Sequence, residues 1–287
     1  MHSTSIQAIL QDCGLNNIQV RAVSGGDSNQ SFQLLNSEST YFLKINDAAA
    51  HPLLFQREAE GLDALRSMNC CKIPAVIKTG TIGNQQYLLL EWIERGVPAA
   101  DYFQQMGEAV AEMHLQTTTS AGWHNDNYFG RLQQVNTMMN EWHLFYAECR
   151  ILPLVKQLVD GGTFTGTEAK HAEVLCKKLE NYFPKEHFSL LHGDLWSGNH
   201  FPDQEGKPVL FDPSVYYGHR EMDIGMTRLF GGFEQTFYDA YNDRYPLETQ
   251  WQQRLQLTQL YPLLVHAVLF GAHYVSQTRT ILARFGA

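Results

Sequence analysis

Apolar positions in the first part of the chain come in short bursts that suit strands. IQVRAV, SFQLLN and TYFLKI are rich in β-branched and aromatic residues, and the turn-forming run Ser24-Gly25-Gly26-Asp27-Ser28-Asn29 parts the first two. One helical stretch interrupts, from about Pro52 to Arg66, and strand patterns resume at IPAVIKTG and QYLLLEW. After Arg95-Gly96-Val97-Pro98 the period changes: Phe103, Met106, Val110 and Met113 follow one another at three- and four-residue steps on one helical face. Helical patterns then run to the end, broken by a loop and strand passage at about residues 188 to 218. The pattern predicts a small sheet lobe over residues 1–93, a short connector and a larger helical lobe over residues 94–287.

Composition narrows the function classes. A chain of 287 residues, 44% hydrophobic and 12% aromatic, can bury a real core. Its net charge of −9 and its lack of a basic run argue against a nucleic-acid partner. Cys13, Cys70, Cys71, Cys149 and Cys176 are odd in number and show no CxxC spacing, so they read as reduced thiols of a cytoplasmic protein. The start, MHSTSIQAILQDCG, reads as a short amphipathic helix and lacks the basic and long apolar regions of a signal peptide. Leu255 to Thr278 carries no charge, but Gln256, Thr258, Gln259, Pro262, His266 and His273 interrupt it, so a buried helix or helix pair is expected and no membrane span.

Chemistry concentrates in His192-Gly193-Asp194-Leu195-Trp196-Ser197-Gly198-Asn199, with Asp212 thirteen residues further on after Val209-Leu210-Phe211. Phosphoryl transfer needs a carboxylate to orient the attacking hydroxyl and oxygen ligands to hold Mg²⁺ against the phosphates, and this segment can supply both. Asp194 and Asn199 could instead only shape a turn and cap a helix. The triple spacing resembles the catalytic loop and metal-binding Asp of the protein-kinase-like superfamily. That resemblance makes Asp194 the hydroxyl-orienting base, Asn199 and Asp212 the Mg²⁺ ligands, and His192 a structural His.

A kinase site also needs a cation from the sheet lobe. Lys44 ends TYFLKI, where it could reach the α- and β-phosphates of ATP, and a Glu on the next helix should hold it. Phe55, Ala59 and Leu62 mark the buried face of that helix; Glu58 projects toward it and Glu60 away, so Glu58 is the expected partner. Gly25, Gly26, Asp27, Ser28 and Asn29 could lay backbone N–H groups over the phosphates, although alone they read as a hairpin turn. Glu91, Trp92 and Ile93 leave the sheet where this fold binds adenine through its backbone, and they equally suit a buried strand.

Three passages carry a closer resemblance: LLHGDLWSGN (Leu190 to Asn199), DPSVYYGHREMDIGMTRLFGGF (Asp212 to Phe233) and GWHNDNYFGRLQQVNTMMNEWHLFYAECRILP (Gly122 to Pro153). With SGGDSNQSFQL and FQREAEGLDAL they make nearly the whole chain similar to the fructosamine kinase (ketosamine-3-kinase) family, which is related to aminoglycoside and choline kinases. The resemblance implies an α+β, protein-kinase-like two-lobed fold: a small antiparallel-sheet N-terminal lobe with one helix that binds nucleotide, and a larger, mainly helical C-terminal lobe for catalysis and substrate. It implies ATP-dependent phosphorylation of the sugar 3-hydroxyl of a ketosamine, giving an unstable product that frees the amine. Fructosamine, ribulosamine and erythrulosamine adducts, on small amines or on protein lysines, all stay open as substrates, and so does the oligomeric state.

Trp196 could offer a flat face to a sugar ring or belong to the core. Glu221 and Asp223 could touch substrate or brace the catalytic loop. His266 could touch substrate or be a satisfied core histidine. A kinase for an aminoglycoside or an amino alcohol is the alternative enzyme, and an inactive ATP-binding scaffold the alternative of another class; Lys44, Asp194 and Asp212 are all present, which argues against the scaffold.

Overall fold

A computed structural model describes residues 2–23 and 29–287. The chain gathers into two compact units, Met1–Tyr102 with Phe201–Pro213, and Phe103–His200 with Ser214–Ala287. Both helices and antiparallel sheet are present, the α+β composition that the hydrophobic pattern implies.

In the first unit, α1 (His2–Asp12) precedes β1 (Gln19–Ala22), β2 (Gln30–Leu35) and β3 (Thr40–Asp47), and α2 (Leu54–Ser67) separates these from β4 (Val76–Ile82) and β5 (Gln85–Glu91). The strands form one antiparallel sheet in the order β1-β2-β3-β5-β4. Side chains alternate across a strand, so Leu43 and Ile45 of β3 join Ile9 and Leu10 of α1 in one core cluster, and Lys44 between them turns to the other face. Leu88 is its neighbour across the pair with β5. Gln86 fixes the entry to α2, which lacks a side-chain cap of its own: it accepts from Phe55 N and donates to the carbonyls of Asp47 and His51.

The second unit opens with α3 (Tyr102–His114), followed by β6 (Thr117–Thr118) and the hairpin β7 (Asn127–Phe129) and β8 (Leu132–Gln134). Next come α4 (Trp142–Phe145), a π-helical turn Tyr146–Ile151, α5 (Leu152–Asp160), α6 (Gly166–Lys178) and β9 (Phe188–Leu191). The chain then returns to the first unit as β10 (His200–Pro202) and β11 (Pro208–Leu210). Hydrogen bonds from Leu210 N to Lys72 O (3.1 Å) and from Gly96 N to Pro202 O (2.9 Å) tie it there. A Cβ on Gly96 would lie 2.1 Å from Asp203 O, so only glycine allows that approach.

Beyond it, β12 (Tyr216–Gly218) pairs with β9, which also pairs with β6. The unit closes with α7 (Glu221–Leu229), α8 (Gln235–Arg244), α9 (Trp251–Phe270) and α10 (Ala272–Gly286). The uncharged C-terminal stretch is therefore a buried helix and the start of the next; Leu257, Leu260, Leu263, Leu264 and Val265 all sit in the core. No helix of the described residues is long and apolar enough to cross a membrane. Pro262 interrupts α9, and the Tyr146 hydroxyl enters the ladder one turn before it, donating to Leu257 O (2.6 Å) and accepting from Tyr261 N (3.3 Å).

Candidate active site

Within the first unit Lys44, 3% exposed, donates to Glu58 Oε1 at 2.7 Å and to Asp212 Oδ1. Burial alone would lower the ammonium, but the two carboxylates overcome it and hold Lys44 above its ordinary range, so it stays charged. Burial pushes Glu58 upward against the attraction of Lys44, and the Asp212 charge adds to that rise. Glu60, the other glutamate of the same helix segment, pairs with Arg57 at 2.6 Å. Asp212 has φ 54°, a left-handed backbone that non-glycine residues adopt at a cost, and it aims the carboxylate back at Lys44.

Gly25, Gly26, Asp27 and Ser28 lie outside the described residues. Asn29 accepts from Asn46 Nδ2 at 2.6 Å. At the other end of the sheet, Glu91 binds Ala75 twice, through its main-chain N–H (2.9 Å) and its Oε2 (3.1 Å). Trp92 follows with its indole N–H on Glu94 (2.8 Å), and Ile93 is buried.

In the second unit β9 delivers His192, Gly193 and Asp194. Asp223, 1% exposed on α7, accepts from His192 N (2.7 Å) and Gly193 N (3.0 Å), so a single carboxylate satisfies two main-chain donors at the turn. His114 Nε2 approaches the same carboxylate at 3.2 Å, and its Nδ1 meets the Tyr241 hydroxyl at 2.8 Å. Nothing in the sequence points to His114 or Tyr241, since each lies more than a hundred positions from Asp223 or His114 respectively, at separations of 109 and 127.

Asn199 donates to the Asp194 main-chain carbonyl (2.9 Å) and to its Oδ2 (2.8 Å). With its nitrogen committed, Asn199 has an amide oxygen to offer a cation. That oxygen and the Asp212 carboxylate are hard donors of the kind Mg²⁺ takes. The six-membered ring of Trp196 crowds Gly198, where a Cβ would lie 2.3 Å from Cζ2, so the loop closes tightly on the indole. Trp196 meets Phe230 edge-on at 5.5 Å, and Phe230 lies 5.2 Å from His266. His266 has its Nδ1 on Pro262 O at 2.7 Å, and burial lowers its pKa, so the ring is neutral. Glu221, 2% exposed, binds Arg254 with both oxygens, at 2.7 and 2.5 Å. A carboxylate held this way anchors the start of α7.

The fold is that of protein-kinase-like phosphotransferases. An aminoglycoside phosphotransferase solved with ADP and hygromycin B superposes with TM-score 0.65 at 16% identity, over 98% of both chains. A candidate fructosamine-3-kinase from Haemophilus somnus gives 0.86 at 27% identity, over 97% of this chain and 95% of that one.

The fructosamine kinase family matches residues 1–286, and the chain belongs to that family. A probable ketoamine kinase of Enterococcus faecium is 38% identical over 98% of this chain and 99% of its own. The chloroplastic protein-ribulosamine 3-kinase of Arabidopsis thaliana is 32% identical over 92% of this chain and 81% of its own. The protein is an ATP-dependent kinase acting on a hydroxyl group.

Proposed function

We propose that this kinase phosphorylates the sugar 3-hydroxyl of ketosamines, whether fructosamine, ribulosamine or erythrulosamine adducts, on small amines or on protein lysines. The observation that carries the reading is Asp194, its carboxylate oriented by the Asn199 amide at 2.8 Å. In the reaction Asp194 orients the sugar hydroxyl and accepts its proton as the oxygen attacks the γ-phosphorus of ATP. Lys44, held by Glu58, binds the α- and β-phosphates. Asn199 and Asp212 would hold Mg²⁺, which would supply positive charge against the transferring phosphoryl group.

Trp196 and His266 are assigned to the acceptor sugar, the indole as an apolar face and the neutral His266 ring as a hydrogen-bonding partner. Asn29 is assigned to the phosphates, and the backbone of Glu91, Trp92 and Ile93 to adenine. The product then decays by itself. Phosphate beside the ketone leaves more readily than hydroxide, so enolisation expels inorganic phosphate, and water hydrolyses the resulting imine to free the amine. The kinase thereby acts in deglycation. We assign it to the cytoplasm, where five free cysteines stay reduced.

The test is a coupled ADP-release assay with ATP and Mg²⁺ on ribulose-lysine, fructose-lysine, kanamycin and choline. Turnover of a ketosamine that disappears in Asp194→Asn supports the reading and selects the sugar. Turnover of kanamycin or choline alone overturns it.

A further inference from the structure

The Gly122–Pro153 passage, which the proposed chemistry leaves without a task, encloses a buried polar relay beside the catalytic turn. Ser214 is its focus. Its N–H donates to His192 O (2.8 Å), its hydroxyl donates to Tyr128 O (2.7 Å), and a Cβ on Gly193 would come within 2.0 Å of its carbonyl oxygen. Two side chains of the β7–β8 hairpin hold the main chain here: Gln134 Nε2 donates to Ser214 O (3.1 Å) and Asn127 Nδ2 to Val215 O (2.8 Å).

An amide works in either direction, so something must set which end faces which partner. Arg150, carried on the π-helical turn and fully buried, can only donate. It donates to Asn136 Oδ1 at 2.7 Å, which leaves Asn136 Nδ2 to donate to Asn127 Oδ1 at 2.9 Å. Gln134 Nε2 also donates to Asn127 Oδ1 (2.7 Å), and the Tyr261 hydroxyl donates to Gln134 Oε1 (2.8 Å). With its oxygen doubly occupied, Asn127 must present its nitrogen to Val215 O. The guanidinium charge is met by the rings of Tyr216, Phe145 and Tyr261, 4.3, 4.5 and 5.1 Å away, and by the carbonyls of Val135 and Cys149. An apolar side chain could fill that space; a donor-only group alone fixes the polarity of the relay.

We propose that Asn127, Gln134 and Arg150 are positioning residues for phosphoryl transfer: Arg150 sets the direction of an amide relay that clamps the Ser214–Val215 main chain against the His192–Gly193 turn bearing Asp194. The inference rests on the catalytic assignment of Asp194 above.

Asn127→Asp is the sharpest test. It keeps the shape and the acceptor for Gln134 and Asn136 but, when ionised, cannot donate to Val215 O. With kcat and both KM values measured from pH 6 to 8.5 beside thermal melts, kcat at pH 8 falls about 10- to 100-fold, while KM for ATP stays within about threefold. The deficit shrinks toward pH 6 as the introduced carboxyl protonates and regains a donor. Arg150→Lys retains more kcat than Arg150→Met although both melt earlier. A kcat within about twofold of the parent at every pH, with only the melting temperature lowered, overturns the proposal. If Asn127→Asp fails to fold, Gln134→Glu decides by the same kcat criterion, since it keeps the acceptor for Tyr261 and loses the donor to Ser214. Asp194→Ala separates the two readings: full activity there removes the catalytic assignment and the relay with it, whereas lost activity beside normal relay variants removes the relay alone.

Discussion

The Asn199 amide nitrogen donates to Asp194 twice, to its main-chain carbonyl at 2.9 Å and to its carboxylate Oδ2 at 2.8 Å. One side chain five positions on thus fixes both the backbone and the carboxylate of the proposed base. Asp194→Asn removes proton acceptance but keeps size, so kcat is expected to fall about 10²- to 10⁴-fold with ATP affinity retained. Single-turnover phosphoryl transfer and a direct ATP titration check the two halves separately.

Lys44 sits between two carboxylates, and Lys44→Met leaves Glu58 buried without its counter-charge. The expected cost is about 3 kcal/mol near neutral pH, as for one partner removed from a buried ion pair. Its pH dependence has a definite sign. Glu58 is already pushed upward by burial, and loss of the ammonium raises it further, so the variant takes up a proton on folding. Its deficit relative to the parent therefore shrinks as pH falls toward about 7, where Glu58 is protonated in the parent as well, and levels off below that. Urea unfolding at several pH values measures this; a deficit that grows on acidification contradicts it.

Gly193 and Gly162 offer a matched pair. Both have positive φ, 82° and 70°, but a Cβ at Gly193 would strike Ser214 O while Gly162 faces open space. Gly162→Ala should cost about 1–2 kcal/mol from backbone strain alone. Gly193→Ala adds the clash, for about 3 kcal/mol or more in total, and should abolish turnover because the clash falls beside Asp194. Thermal melts of the two variants, read with their activities, test the difference.

His219 ties stability to mildly acid pH. Burial drives it down to about 4 from 6.5; Glu221 and a main-chain hydrogen bond at Pro184 oppose the fall, and Arg220 and Arg254 add to it. The unfolded chain therefore binds a proton that the folded chain refuses. Stability should decline as pH falls from about 6.5 to about 4, by roughly 3 kcal/mol from this residue. In His219→Asn the slope of unfolding free energy over that window should flatten, whatever the substitution does to stability at pH 8.

The sequence by itself determined what short-range geometry controls. Strand and helix periodicity marked the two kinds of architecture, and the helical repeat separated Glu58, facing the buried side with Phe55 and Leu62, from Glu60, which meets Arg57 on the same helix. The Asp194–Asn199 contact is equally local, a tight turn closed over five residues. Only tertiary structure decided which distant groups complete these sites. The β10–β11 hairpin joins the first unit through main-chain bonds to Lys72 and Gly96, which no side-chain pattern announces. Asp223 accepts from the His192–Gly193 turn with His114 behind it, and Arg150 donates to Asn136 in the amide cluster that reaches Ser214 and Val215. Hydrogen bonds between groups far apart in sequence depend on the angles at which whole elements pack, and those angles arise from the summed burial of many side chains, so a single position carries no trace of its partner.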